Sequence, residues 1–118
     1  MVVMKKPQPS DSLSKRMKAI DRQIARIKEQ IVALGDLRPG TLSSHVRQEQ
    51  GGRLYWHLSY THQMRSCTDY VRTEHVKAVR EEVKAYRRLK QHVERWIELG
   101  LEKSRLVRAH EIQTRKEH

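Results

Sequence analysis

Arg53-Leu54-Tyr55-Trp56-His57-Leu58-Ser59-Tyr60-Thr61 is the stretch that decides the fold. Leu54, Trp56, Leu58 and Tyr60 alternate with Tyr55, His57, Ser59 and Thr61. A period of two in a run rich in aromatic and hydroxyl side chains, entered through Gly51-Gly52, predicts a half-buried β-strand, with either the first set on the core face or, in the inverted assignment, Tyr55 in the core. Thr41 to Gln50 is a second strand candidate, with Leu42, Ser44 and Val46 on one face, joined to the first through a Gln50-Gly51-Gly52 turn. On the other side, His62-Gln63-Met64 is a turn and Arg65 to Val71 a third strand with Tyr70 and Val71 at its end. Connections this short cannot make parallel crossovers, so an antiparallel meander is expected.

Helical patterns flank the meander. Leu13, Met17, Ile20, Ile24, Ile27, Ile31 and Leu34 are spaced alternately by four and three, a heptad seam suited to one long partner helix. Ser10 or Ser12 can cap this helix, with Asp11 at its positive end; Gly35 can end it, and Leu37-Arg38-Pro39-Gly40 turns the chain. Thr73 is the expected N-cap of a second, longer helix with Glu74 in its first turn. Its apolar stripe reads Val76, Val79, Val83, Tyr86, Leu89, Val93, Trp96 and Ile97. Gly100 marks a candidate kink, with Leu101, Leu106 and Val107 carrying the helix further. The expected fold class is α+β: an N-terminal helix, a three-stranded antiparallel β-meander and a long C-terminal helix, the two helices of matching length and packed antiparallel. Residues 11–107 form one domain in this reading, between a flexible basic arm over 1–10 and a charged, frayed tail over 108–118.

The 118 residues carry a formal net charge of +11, which favours a polyanionic partner. No apolar run is long enough for a transmembrane helix, and Met1-Val2-Val3-Met4-Lys5-Lys6 lacks the apolar core of a secretory signal. The expected setting is cytoplasmic, or nucleoid-associated if the partner is DNA, with no membrane role. A single cysteine, Cys67, excludes an internal disulfide and a CxxC zinc site. His57, His62 and Cys67 lie five apart, a spacing that converges on neither a strand nor a helix face, so no metal and no cofactor are expected. Nor is there a GxSxG, an HExxH or a P-loop lysine, and the protein reads as a non-enzyme.

Leu37-Arg38-Pro39-Gly40-Thr41-Leu42, the Tyr55-to-His62 strand and Tyr70-Val71-Arg72 opening a long helix carry a resemblance. With Tyr86-Arg87-Arg88-Leu89 and Trp96-Ile97, which also fit, the chain from Leu13 to Leu106 is similar to an uncharacterised family of small basic bacterial and archaeal proteins classed as a domain of unknown function. Such proteins are often encoded near transposon or phage genes, so the resemblance implies a mobile genetic element as the setting. Many members carry cysteine-containing turns before the aromatic strand. Here Val46-Arg47-Gln48-Glu49-Gln50 holds no cysteine, so no metal role carries over.

Candidate contact residues follow from where the charge falls. Lys15, Lys18, Arg22 and Arg26 lie off the seam of the first helix, and Lys77, Arg80, Lys84, Arg87 and Arg88 off the valine stripe of the second. Several are like-charge i,i+4 pairs, each costing a helix about 0.2–0.5 kcal/mol, a repeated cost that a polyanion would relieve. Glu81, Glu82, Glu94 and Glu98 dilute the second stripe, so an ordinary solvated basic face is the competing account. The non-core sheet face offers Tyr55, His57, Ser59 and Thr61, with Arg47, Arg53 and Arg65 at its borders. Such a face can lie in a DNA groove or stack bases, as three-stranded sheets do in integrase-type arm domains, an analogy of fold alone. The expected function is therefore non-catalytic binding of nucleic acid, foremost double-stranded DNA of a mobile element. The alternative is a coiled-coil adaptor or regulator that binds another element-encoded protein. A homodimer through the helix seams is expected in addition, because small chains gain stability from association.

Overall fold

The computed structural model describes residues 9–116. Of the expected basic arm, 1–8 lie outside them, and Pro9 and Ser10 already belong to the first helix. The elements are α1 (Pro9–Val32), β1 (Thr41–Arg47), β2 (Arg53–His62), β3 (Arg65–Val71) and α2 (Val76–Lys116). The three strands form one antiparallel sheet in the order β1-β2-β3, so the α+β reading and the meander stand. The described residues divide into two compact units, one built from those up to 32 and from 92 onward, the other from 33–91.

In the 33–91 unit the sheet packs on the first part of α2. Leu58, fully buried at the middle of β2, joins Val71, Val76, Val79 and Val83, and Leu42, Trp56 and Tyr60 close around them. The core face is therefore that of Trp56, Leu58 and Tyr60, and the inverted assignment with Tyr55 in the core falls. Leu54 departs from it, being 48% exposed at the far end of the strand, as is Val46 opposite it in β1. Arg38 ties the 33–40 segment down twice: its backbone N–H donates to the Glu82 carbonyl at 3.2 Å, and its guanidinium donates to Asp69 on the core side of β3. Tyr60 lies in the same cluster, where a hydrogen bond to Asp69 raises its phenol above the usual 10.0. Gly40 has φ +125 and sits against β2, a position no side chain fits.

In the other unit α1 packs antiparallel on the C-terminal part of α2. Ile20, Ile27 and the fully buried Leu99 form the core, with Ile24, Ile31 and Leu106 against them. Arg16 chelates Glu102 through Nε and Nη2 at 2.6 and 2.8 Å, Asp21 pairs with Lys103, and Lys28 lies 5.2 Å over the Trp96 ring. Every seam position predicted for α1 from Leu13 to Ile31 is buried or half-buried.

Several boundaries differ from expectation. Ser10 and Ser12, the expected caps, fall inside α1 as described. The helix ends at Val32, and Gly35 adopts no positive φ, so it is not a left-handed stop. β1 is shorter than predicted because Gln48–Gln50 form a 3-10 turn before Gly51 and Gly52, both at positive φ. Thr73 opens a 3-10 turn, Thr73–His75, whose cap position is Arg72 without a side-chain cap bond. α2 has 41 residues against 24 in α1, so the helices do not match in length; it runs on through Gly100 and keeps helical structure over 108–116. Val93, Trp96 and Ile97 of the predicted stripe are exposed, while Leu99, outside that stripe, is fully buried.

Candidate functional site

The turn lengths fix which side chains meet on the outer sheet face. β2 and β3 are joined through Gln63 and Met64 alone, which sets Trp56 opposite Val71, His57 opposite Tyr70 and Ser59 opposite Thr68. β1 and β2 pair with Ser43 opposite His57, His45 opposite Tyr55 and Arg47 opposite Arg53. Residues on this face therefore include His45, Arg47, Arg53, Tyr55, His57 and Tyr70. The three strands hold one carboxylate, Asp69, and it lies on the other face against Arg38.

Aromatic and cationic groups concentrate at the end where β1 runs into β2. The Arg47 guanidinium lies 4.7 Å from the Tyr55 ring centre and 5.9 Å from that of Tyr70, within cation–π range of both. His45 stacks on Tyr55 at 6.1 Å and meets His57 at 5.1 Å with the rings tilted by 60°. His57 Nδ1 is buried there with no hydrogen-bond partner among the described residues. Beside this cluster opens a groove of about 650 Å³ whose lining includes Arg47, Arg53, Tyr55, Trp56, Tyr70 and Arg72. Its origin is topological. β3 leaves the sheet after Val71, so Arg53 and Leu54 at the start of β2 have a strand neighbour only in β1, and the lane of the third strand is empty.

Of the residues predicted for nucleic-acid contact, this arrangement brings together Arg47, Arg53 and Tyr55, with His57 one pair further along. Arg65 does not join them. It is paired with His62 at the opposite end of β2, nine residues from Arg53 and hence about 30 Å away at strand rise. Lys77, Arg80, Lys84, Arg87 and Arg88 are exposed along α2 in the same unit. Arg80 leans back over Trp56 at 5.5 Å and Lys84 lies 3.5 Å from Glu81, while Lys77, Arg87 and Arg88 have no carboxylate within ion-pair distance among the described residues. Lys18, Arg22 and Arg26 are exposed on α1 in the other unit.

Tyr70, Arg72 and His45 are the members sequence reasoning missed. Tyr70 is 70% exposed, an unusual state for a strand tyrosine beside the buried Val71. A two-residue turn at Gln63-Met64 would have placed it opposite His57, but neither residue is a glycine or asparagine, and both hold φ of 50 and 65. Arg72 is exposed at the groove's edge, 3.7 Å from Glu74, a weak surface pair. Among the described residues no three of His, Cys, Asp and Glu converge as metal ligands, and no helix is long and apolar enough to cross a membrane.

No curated protein and no solved structure matches the chain. Residues 17–85, more than half of its length, match the family described as Domain of unknown function (DUF6788), and the chain belongs to that family.

Proposed function

We propose that the protein binds nucleic acid without catalysing a reaction, and that its target is double-stranded DNA of a mobile element, the setting the family resemblance implies. The observation that carries this reading is the outer sheet face. It presents Arg47, Arg53, His45, His57, Tyr55 and Tyr70, and no strand carboxylate shares it. Removing negative charge from one face of a sheet while stacking guanidinium on aromatic rings suits phosphates and bases together. Three strands span about 10 Å between the outer backbones, comparable with the roughly 12 Å width of a major groove.

Fluorescence anisotropy with labelled duplex DNA, single-stranded DNA and RNA across a salt series tests the proposal. Log affinity should fall linearly with log salt, by about 0.9 per phosphate neutralised on duplex. The variant with Arg47, Arg53 and Arg72 all changed to glutamate should lose binding while melting like the parent. Absence of binding at low salt refutes the reading.

A second reading, a helical interaction protein, rests on Val93, Ile97 and Leu101. They are spaced by four on α2 and are 38%, 56% and 51% exposed. The row is self-complementary: in an antiparallel pair of copies Val93 meets Leu101 and Ile97 meets itself. Sedimentation would then show a dimer that Ile97→Glu converts to monomer.

A further inference from the structure

We infer that the groove beside Tyr70 takes one unpaired nucleotide, so that the protein favours duplex carrying an unpaired end over fully paired duplex. This rests on the nucleic-acid reading and specifies it. The groove exists because β3 peels away after Val71, leaving a lane one strand wide, about 4.8 Å across, beside Arg53 and Leu54. A duplex is far too wide for such a slot, whereas its volume of about 650 Å³ falls within the range of roughly 300–1,000 Å³ that holds a small ligand. Its chemistry is that of a nucleotide. Tyr70 stands 70% exposed with Arg47 5.9 Å from its ring centre, which leaves ring surface open for a base. Arg53 and Arg72, both exposed, border the same groove where a phosphate would lie. Leu54 is 48% exposed in its lining, an apolar wall that a stacked base would cover. Shape, aromatic surface and cations thus agree on a single splayed nucleotide, and stacking of that kind tolerates any base identity.

Three ligands of equal duplex length separate the possibilities: a blunt duplex, the same duplex with a three-nucleotide overhang, and the overhang made abasic so that its phosphates remain without bases. Base stacking by alanine substitution is valued at about 1–3 kcal/mol, so the overhang should tighten binding roughly 5- to 150-fold over blunt duplex. The abasic overhang should lose most of that gain. Tyr70→Ala should bind blunt and overhang duplex equally, whatever its affinity for either, and Tyr70→Phe should retain the preference. Equal binding of blunt and overhang ligands by the parent overturns this inference and leaves duplex binding standing. A gain that survives in the abasic ligand or in Tyr70→Ala overturns it as well, because charge alone then explains the preference. Failure to bind any of the three overturns both readings.

Discussion

Gly40→Ala is the substitution whose cost can be read most directly from the structure. Gly40 holds φ +125, and a Cβ built there would stand 2.5 Å from the Ser59 carbonyl oxygen and 2.9 Å from the Tyr60 Cβ. Both obstacles belong to β2, and Ser59 is paired with Thr41 at the first step of the β1–β2 ladder, so neither yields without displacing the central strand. Positive φ costs an alanine about 1–2 kcal/mol, and forcing volume into a packed position about 1–3 kcal/mol more. Gly51→Ala, at a left-handed position that an alanine adopts more readily than φ +125, is the milder reference. Gly51 also has positive φ, +73, but nothing lies within 4 Å of its added Cβ, so only the backbone penalty applies. Gly40→Ala should therefore be about 1–3 kcal/mol less stable than Gly51→Ala, which for a chain of this size lowers Tm by roughly 4–12 °C. Trp56 fluorescence in a Trp96→Phe background follows the unit concerned, with circular dichroism as a second probe. A Gly40→Ala protein melting within about 2 °C of Gly51→Ala, against the margin expected from the same principle, would refute the close approach of the 33–40 segment to β2.

Other expectations follow from single features. The β2–β3 turn holds two non-glycine residues at positive φ, with Met64 98% exposed, so the double change Gln63→Asn, Met64→Gly should stabilise by about 1 kcal/mol in urea melts; a loss of stability would show that the Met64 side chain is needed in the fold. The Arg16 guanidinium hydrogen-bonded to Glu102 holds that carboxyl below its ordinary 4.5. The folded state thus binds this proton less readily than the unfolded chain, so the stabilisation is present above 4.5 and fades as pH falls through the lowered value. Glu102→Gln should flatten the acid limb of a stability–pH profile, and an unchanged limb would remove the pair from the account. Arg47→Ala should weaken nucleic-acid binding and reduce the salt slope by about 1, read from the anisotropy series. A weaker affinity with the slope unchanged would mean that Arg47 acts by holding Tyr55 and Tyr70 and touches no phosphate.

The alternation through Arg53 to Thr61 was sufficient to sort β2 into two faces, and the packing of Leu58 on the valines of α2 decides which of them is buried. The α1 seam was equally legible, since one partner packs from Ile20 to Ile31 and a single period results. α2 was not, for the opposite reason. Each unit takes its own residues from that helix, Val76, Val79 and Val83 in one and Leu99 and Leu106 in the other, so one stripe drawn from end to end selects the exposed Val93 and Ile97. Half of the candidate site was visible as residue types at the ends of a strand: Arg47, Arg53 and Tyr55. Tyr70 and Arg72 join them through the register across a turn that carries no glycine or asparagine signal, and through the early departure of β3. Neither is written in local sequence.

α2 has a consequence for how the chain acquires its structure. The 41 residues of α2 serve both units. Starting a helix is the improbable step, carrying a statistical weight near 10⁻³, or about 4 kcal/mol, whereas adding a further turn to an existing one is close to neutral. Whichever unit orders first hands the other a helix already begun. The second then needs only to extend it and close its own apolar contacts, so two small cores with no residue in common can fold as one transition.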